Sequence, residues 1–84
     1  MPEVEVGEVD DYFARVGAAG ILLTAPLKVG DVIHIKGHTT DLQLNVDSLQ
    51  INNVSVQEGK VGDAVGIKVP DRVRRGDQVY KVVE

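Results

Sequence analysis

At 84 residues the chain has room for one domain, residues 1–84, because so short a polypeptide buries little more than half of its unfolded surface and cannot fill two cores. It contains no cysteine, which excludes disulfide staples and thiolate metal sites and fits a reducing, cytoplasmic setting. A net charge of -4 argues against indiscriminate nucleic-acid binding, and no apolar run approaches the roughly 20 residues that cross a bilayer, so a soluble protein with no membrane partner is expected.

The charge is unevenly placed. Residues 1 to 11 carry Glu3, Glu5, Glu8, Asp10 and Asp11 with no base, whereas 68 to 75 carry Lys68, Arg72, Arg74 and Arg75 against Asp71 alone. Val4 and Val6 alternate with Glu3 and Glu5 until Gly7 breaks the phase, which predicts a bulge where an acidic first strand bends. That strand continues through Tyr12 to Val16. Gly17 and Gly20 are expected to bracket a turn, Ile21 to Leu23 to form a short buried strand, and Pro26 to end it or mark an edge.

Three similar punctuation marks follow: Val29-Gly30-Asp31, Val61-Gly62-Asp63 and Arg75-Gly76-Asp77. Each precedes a valine-containing run. The glycine should supply a positive φ and the aspartate side chain should bond nearby backbone, so turn chemistry accounts for these three acids better than catalysis does.

Between Asp31 and Lys36 the period of two puts Ile33 and Ile35 on one face and His34 and Lys36 on the other. Gly37 to Asp41 then reads as a polar hairpin connection, with Leu42, Leu44 and Val46 resuming the inward phase. Leu49 and Ile51 keep that phase shifted by one, and Asn52-Asn53, a pair that tolerates the left-handed backbone of a turn or bulge, shifts it again before Val54 and Val56. Gly66, within Val65 to Val69, leaves room for close backbone approach. No sustained helical stripe occurs, and only Pro70 to Arg75 could hold a helical turn. The expected fold is therefore all-β, a small closed barrel of six to seven strands with Ile33, Ile35, Leu42, Leu44, Leu49, Val65, Ile67 and Val69 inside.

Val46-Asp47-Ser48, followed by Glu58-Gly59-Lys60-Val61-Gly62-Asp63-Ala64-Val65-Gly66-Ile67-Lys68-Val69, resembles the second domain of the translation GTPases, the β-barrel of elongation factor Tu. Leu27 to Val32 and Arg75 to Val79 resemble strand entries of the same domain, and Ile35 to Asp41 resembles a run in stand-alone elongation-factor-like small proteins. The resemblance implies a translation-protein type barrel. No GxxxxGK[ST] loop is present, so no guanine nucleotide and no other cofactor is expected. In the family a glutamate, an arginine and an asparagine help hold the acceptor end of tRNA. Here the corresponding positions are Gln50, Asn53 and Ala64, which argues against aminoacyl-tRNA delivery.

No nucleophile with an activating base is apparent, and the expectation is a chain that is not an enzyme and has no catalytic residues. His34 and His38 lie roughly 13 Å apart if the strand stays extended, so even with Asp41 they predict a solvated hairpin in place of a metal site. The candidate binding residues are Arg72, Arg74 and Arg75 with Lys68 on the late loop, and His34, Lys36, His38, Thr39 and Thr40 on the hairpin. The other reading of the basic loop is a solvated loop, or one paired with the acidic first strand of its own chain or of a neighbour. Two functions follow: a non-catalytic module docking on RNA, the ribosome or a protein partner, or a structural or assembly domain, either a homo-oligomer or an accessory subunit completing another enzyme.

Overall fold

The computed structural model describes residues 3–83. Its strands are β1 (Glu3–Phe13), β2 (Ala18–Leu23), β3 (Leu27–Lys28), β4 (Val32–Lys36), β5 (Asp41–Asn45), β6 (Leu49–Ile51), β7 (Val54–Val56), β8 (Glu58–Gly59), β9 (Ala64–Lys68) and β10 (Gln78–Val82). Eight of them form an antiparallel sheet in the order β5-β4-β10-β1-β2-β9-β6-β7, and β3 pairs with β8 in a second, two-stranded sheet.

β1 is the spine. Its first half pairs with β10 and its second half with β2, and the register against β10 slips between Glu5 and Gly7, where the broken alternation places a bulge. A second slip falls between Val9 and Asp11. Gly7 is required by close approach, because a Cβ there would meet the Leu22 carbonyl oxygen at 2.6 Å. The turn into β2 covers residues 14–17 with Gly17 at φ 65°, so Gly20 lies inside β2 and does not bracket the turn as expected. Pro70 to Arg75 is irregular and holds no helical turn.

The three Gly-Asp turns share one construction. Gly30, Gly62 and Gly76 have φ of 100°, 90° and 94°. Asp31, Asp63 and Asp77 each accept, through Oδ2, the backbone N–H three residues earlier, on Lys28, Lys60 and Arg74, at 3.0, 2.8 and 2.9 Å. Asn52 and Asn53, at φ 53° and 65°, form the two-residue connection of the β6–β7 hairpin, whose last pair is Ile51 with Val54.

The core is one cluster of fifteen buried apolar residues, including Val6 and Val9 of β1, Ile33 and Ile35 of β4, Leu49 of β6 and Val65 and Ile67 of β9. Leu42 and Leu44, expected fully inside, are only half-buried against it. Residues from both ends of the large sheet share this core, so the sheet curls round it.

The sheet does not close, which corrects the expected six- to seven-stranded barrel. Among the described residues there are two open sheets and no ladder between the terminal strands β5 and β7. The segment after β3 occupies the gap. Gly30 N–H donates to the carbonyl of Val46, just past β5, and Val29 N–H donates to that of Gln57, just past β7, at 2.9 and 3.0 Å. Isolated bonds to an intervening turn therefore satisfy groups near both strand ends. Regular alternation predicts strands facing one core, and it is silent on whether the terminal edges meet.

Ile67 is 1% exposed within this cluster. Ile67→Ala should lower the unfolding free energy by about 2 to 5 kcal/mol, read as a lower urea midpoint with an unchanged slope. An unshifted midpoint would contradict the assigned core.

Candidate functional site

A predominantly apolar groove of about 750 Å³ crosses the outer face of β1, β2, β9 and β6. Its floor is set by register: Asp11 of β1, Gly20 of β2, Gly66 of β9 and Gln50 of β6 stand side by side in successive strand pairs. Their neighbours Ala19, Ile21, Val65 and Ile67 are buried, so by alternation the two glycines open outwards. Phe13 and Val16, 48% and 60% exposed, supply apolar wall on the β1 side. Gln50, Asn52 and Asn53 supply amides on the β6 side, with Arg15 and Lys68 also at the margin.

The floor glycines differ from those the fold requires. A Cβ on Gly59 would meet Leu23 Cδ1 at 2.6 Å, whereas one on Gly66 would have no neighbour nearer than 3.9 Å, and one on Gly20 none nearer than 3.5 Å. Neither floor glycine has a positive φ. A strand-interior glycine costs about 0.5 to 1 kcal/mol relative to alanine, so Gly66→Ala should hold or slightly raise stability. Gly59→Ala should lower it by about 1 to 3 kcal/mol through overpacking. Parallel chemical denaturation of the two variants tests the contrast, and equal losses would refute it.

The basic loop flanks this groove. Val73 is buried and anchors it, leaving Arg72, Arg74 and Arg75 exposed around a shallow recess of about 410 Å³ beside Asp11 and Tyr12. Arg75 Nε donates to the Asp10 carbonyl at 2.9 Å, so the loop does meet the acidic first strand, through its backbone. Lys68 belongs to the groove margin.

The hairpin residues separate into two groups. Gly37 N–H donates to the Thr40 carbonyl at 2.8 Å and Thr40 is buried, while His38 and Thr39 are exposed. His34 is pinned: its Nδ1 meets Glu3 Oε2 at 2.8 Å and its Nε2 meets Asp41. Lys36 Nζ donates to Glu3 Oε1 at 2.7 Å and lies 5.2 Å from the Tyr80 ring centroid, a cation–π distance. Among the described residues no group of three or more His, Cys, Asp or Glu side chains is disposed to hold a metal ion.

Sequence reading missed two parts of this arrangement. Glu3 reaches His34 and Lys36 across β10, a proximity that only the strand order creates. The Gly20–Gly66 pair could have been found from the alternation about Ile21, which makes Gly20 an outward strand position.

The ion cluster has a definite pH dependence. Hydrogen bonds to Asp41 and then Glu3 raise the His34 pKa above 6.5, against partial burial. The Lys36 ammonium, then His34, holds the Glu3 carboxyl below 4.5. Stabilisation through His34 is complete below pH 6.5 and lost as pH rises through its raised folded value. That through Glu3 is present above pH 4.5 and lost as pH falls through its lowered folded value. Melting temperature should therefore be highest between these limits, and His34→Gln should flatten the fall on the alkaline side. Superimposable pH profiles of parent and variant would exclude the cluster as its source.

No family model matches the chain. An uncharacterised protease of Methanocaldococcus jannaschii is 41% identical over 83 residues, covering 98% of this chain and 20% of that protein. Two collagenases of Porphyromonas gingivalis are 30% and 31% identical over 81 and 78 residues, or 94% and 90% of this chain and 20% and 22% of theirs. The chain thus spans about a fifth of the length of the curated relatives it matches. Among solved structures, the C-terminal domain of a Geobacillus thermoleovorans protein described as a U32 peptidase superposes with a TM-score of 0.87 at 15% identity, covering 93% of this chain and 91% of that one. Its selenomethionine variant gives 0.85 at 14% identity, covering 89% and 95%. At such identities the structural likeness is one of fold.

These matches overturn the resemblance to the elongation factor Tu barrel and, with it, the translation-factor module docking on RNA or the ribosome. They also correct the expectation of a chain that is not an enzyme to one related to an enzyme family, since these curated proteins, similar over nearly its whole length, are named as a protease and collagenases. The residues shared by the runs that carry the resemblance are the Gly-Asp strand entries at Gly30-Asp31, Gly62-Asp63 and Gly76-Asp77. Their chemistry is that of a turn, which any curled sheet can use.

Proposed function

We propose that this chain is the β-domain of a U32-type peptidase and serves as the structural and assembly part that completes a larger enzyme. The observation that carries the reading is the 41% identity to a protease over 98% of the chain while covering only 20% of that relative. A likeness confined to one fifth of a protease is what a conserved module within it would give. The superposition on a domain described as C-terminal in a U32 peptidase supports the same placement.

Such a module needs a surface for the rest of the enzyme. The exposed Arg72, Arg74 and Arg75, on a loop fixed by Val73, are the residues we assign to it, because arginine forks suit carboxylates on a facing protein. A domain exchange tests the reading. Substituting this chain for the matching fifth of a P. gingivalis collagenase should retain collagen hydrolysis, whereas deleting that fifth should abolish it. The same exchange with Arg72, Arg74 and Arg75 changed to serine should lose activity, while the isolated variant chain melts like the parent, since exposed loop charges contribute little to stability. Full activity of the deletion protein would refute the proposal.

A further inference from the structure

We infer that the glycine-floored groove binds the C-terminal end of an extended polypeptide, with an apolar last side chain against Phe13 and Val16 and its carboxylate towards Arg15 and Lys68. The class of occupant rests on the peptidase reading above; the site rests on geometry. Gly20 and Gly66 stand directly opposite one another on adjacent strands, and nothing in the fold calls for glycine at either. Gly7 and Gly59, by contrast, are crowded to 2.6 Å by their surroundings. Two adjacent outward positions without side chains leave a low strip of sheet, open at Gly66 and bordered at Gly20 by the Phe13 ring, whose Cε2 would lie 3.5 Å from a Cβ there; a second backbone can lie close to such a strip.

The groove's chemistry selects what lies there. It follows β9 from Ala64 to Lys68, a run of about 13 Å, which is the span of about four extended residues. Phe13 and Val16 offer apolar surface to a side chain, and Gln50 and Asn52 carry amides able to donate to and accept from peptide groups. Charge then sets direction. Phe13 pairs with Ala18 and Ala18 with Lys68, so Lys68 lies at the end of the groove beside the hairpin turn that carries Arg15. Neither cation makes an ion pair among the described residues. Asp11 lies further along, level with Gly20, its carboxylate accepting the Tyr12 N–H at 2.8 Å. A terminal carboxylate is therefore drawn to the Arg15–Lys68 end, where neither cation has an acidic partner among the described residues.

The test is an NMR titration of the isotope-labelled full chain with an acetylated tetrapeptide of three alanines followed by phenylalanine, as the free acid and as the C-terminal amide. The free acid should move the backbone amides of Phe13, Gly20 and Gly66 and bind about tenfold or more tightly than the amide. Arg15→Ser with Lys68→Ser should reduce the free acid to the level of the amide. Gly66→Val should block binding while leaving the melting temperature near that of the parent. Equal affinity for the two peptides, shifts that map elsewhere, no binding at millimolar peptide, or tighter binding of a short oligoribonucleotide at the same amides would each overturn the assignment. The two levels fail separately. An active domain exchange without peptide binding rejects the groove, and peptide binding with a fully active deletion protein rejects the peptidase reading.

Discussion

Three copies of one backbone clamp carry the fold. In each Gly-Asp turn the glycine N–H donates to the carbonyl of a residue in another segment, and the aspartate carbonyl accepts the N–H of that same residue. Gly30 and Asp31 hold Val46 in this way, Gly62 and Asp63 hold Leu23, and Gly76 and Asp77 hold Val9, with all six bonds at 2.8 or 2.9 Å. Val46, Leu23 and Val9 are each no more than 1% exposed. An unpaired backbone group at such positions would cost about as much as a lost hydrogen bond, so each clamp satisfies two buried groups that no neighbouring strand reaches. The aspartate side chain closes its own turn at the same time, which is why a glycine followed by an aspartate recurs at all three places.

The clamps also explain why the sheet curls without closing. They sit at the entries to β4, β9 and β10, where the chain leaves one part of the sheet and joins another. The Val46 clamp, with the added bond from Val29 to Gln57, places a turn where a ladder between β5 and β7 would run. One local solution, used three times, thus sets where the chain passes from one part of the sheet to another.

This division marks what could be read in the chain beforehand. The three Gly-Asp turns, the bulge at Gly7, the left-handed pair Asn52 and Asn53, and the inward placing of Ile33, Ile35, Leu49, Val65 and Ile67 are local properties, carried by residue type and a period of two. The open edges depend on where Val29 to Asp31 lands. The pinning of His34 depends on Glu3, 31 residues earlier, reaching over an intervening strand, a relation that alternation within either strand does not encode. The candidate site was legible only in part. Gln50, Asn53 and Ala64 drew notice for side chains they lack, yet they line a groove whose floor is made by the absence of side chains at Gly20 and Gly66. The turn signals that mark the strand entries also carry the resemblance to the translation-factor barrel, because they report a way of ending strands and nothing about whether the sheet closes or what its outer face holds.

β1 divides the molecule between two tasks. Glu3 lies in the half paired with β10, and its carboxylate ties the strand to β4 through His34 and Lys36, a stitch between elements that share no ladder. The half paired with β2 is arranged differently. The second register slip, between Val9 and Asp11, leaves Asp10 exposed, with its carbonyl accepting from Arg75, while Asp11 borders both the groove and the recess of the basic loop. Two neighbouring acids thus serve two surfaces that lie side by side. A bulge re-aims residues without breaking the ladder on either side, so one inserted residue brings the groove and the arginine loop together on a single edge of the fold. A polypeptide end seated in the groove would therefore lie next to the loop we propose as the assembly surface, and the two proposed surfaces would meet at Asp10 and Asp11 of β1.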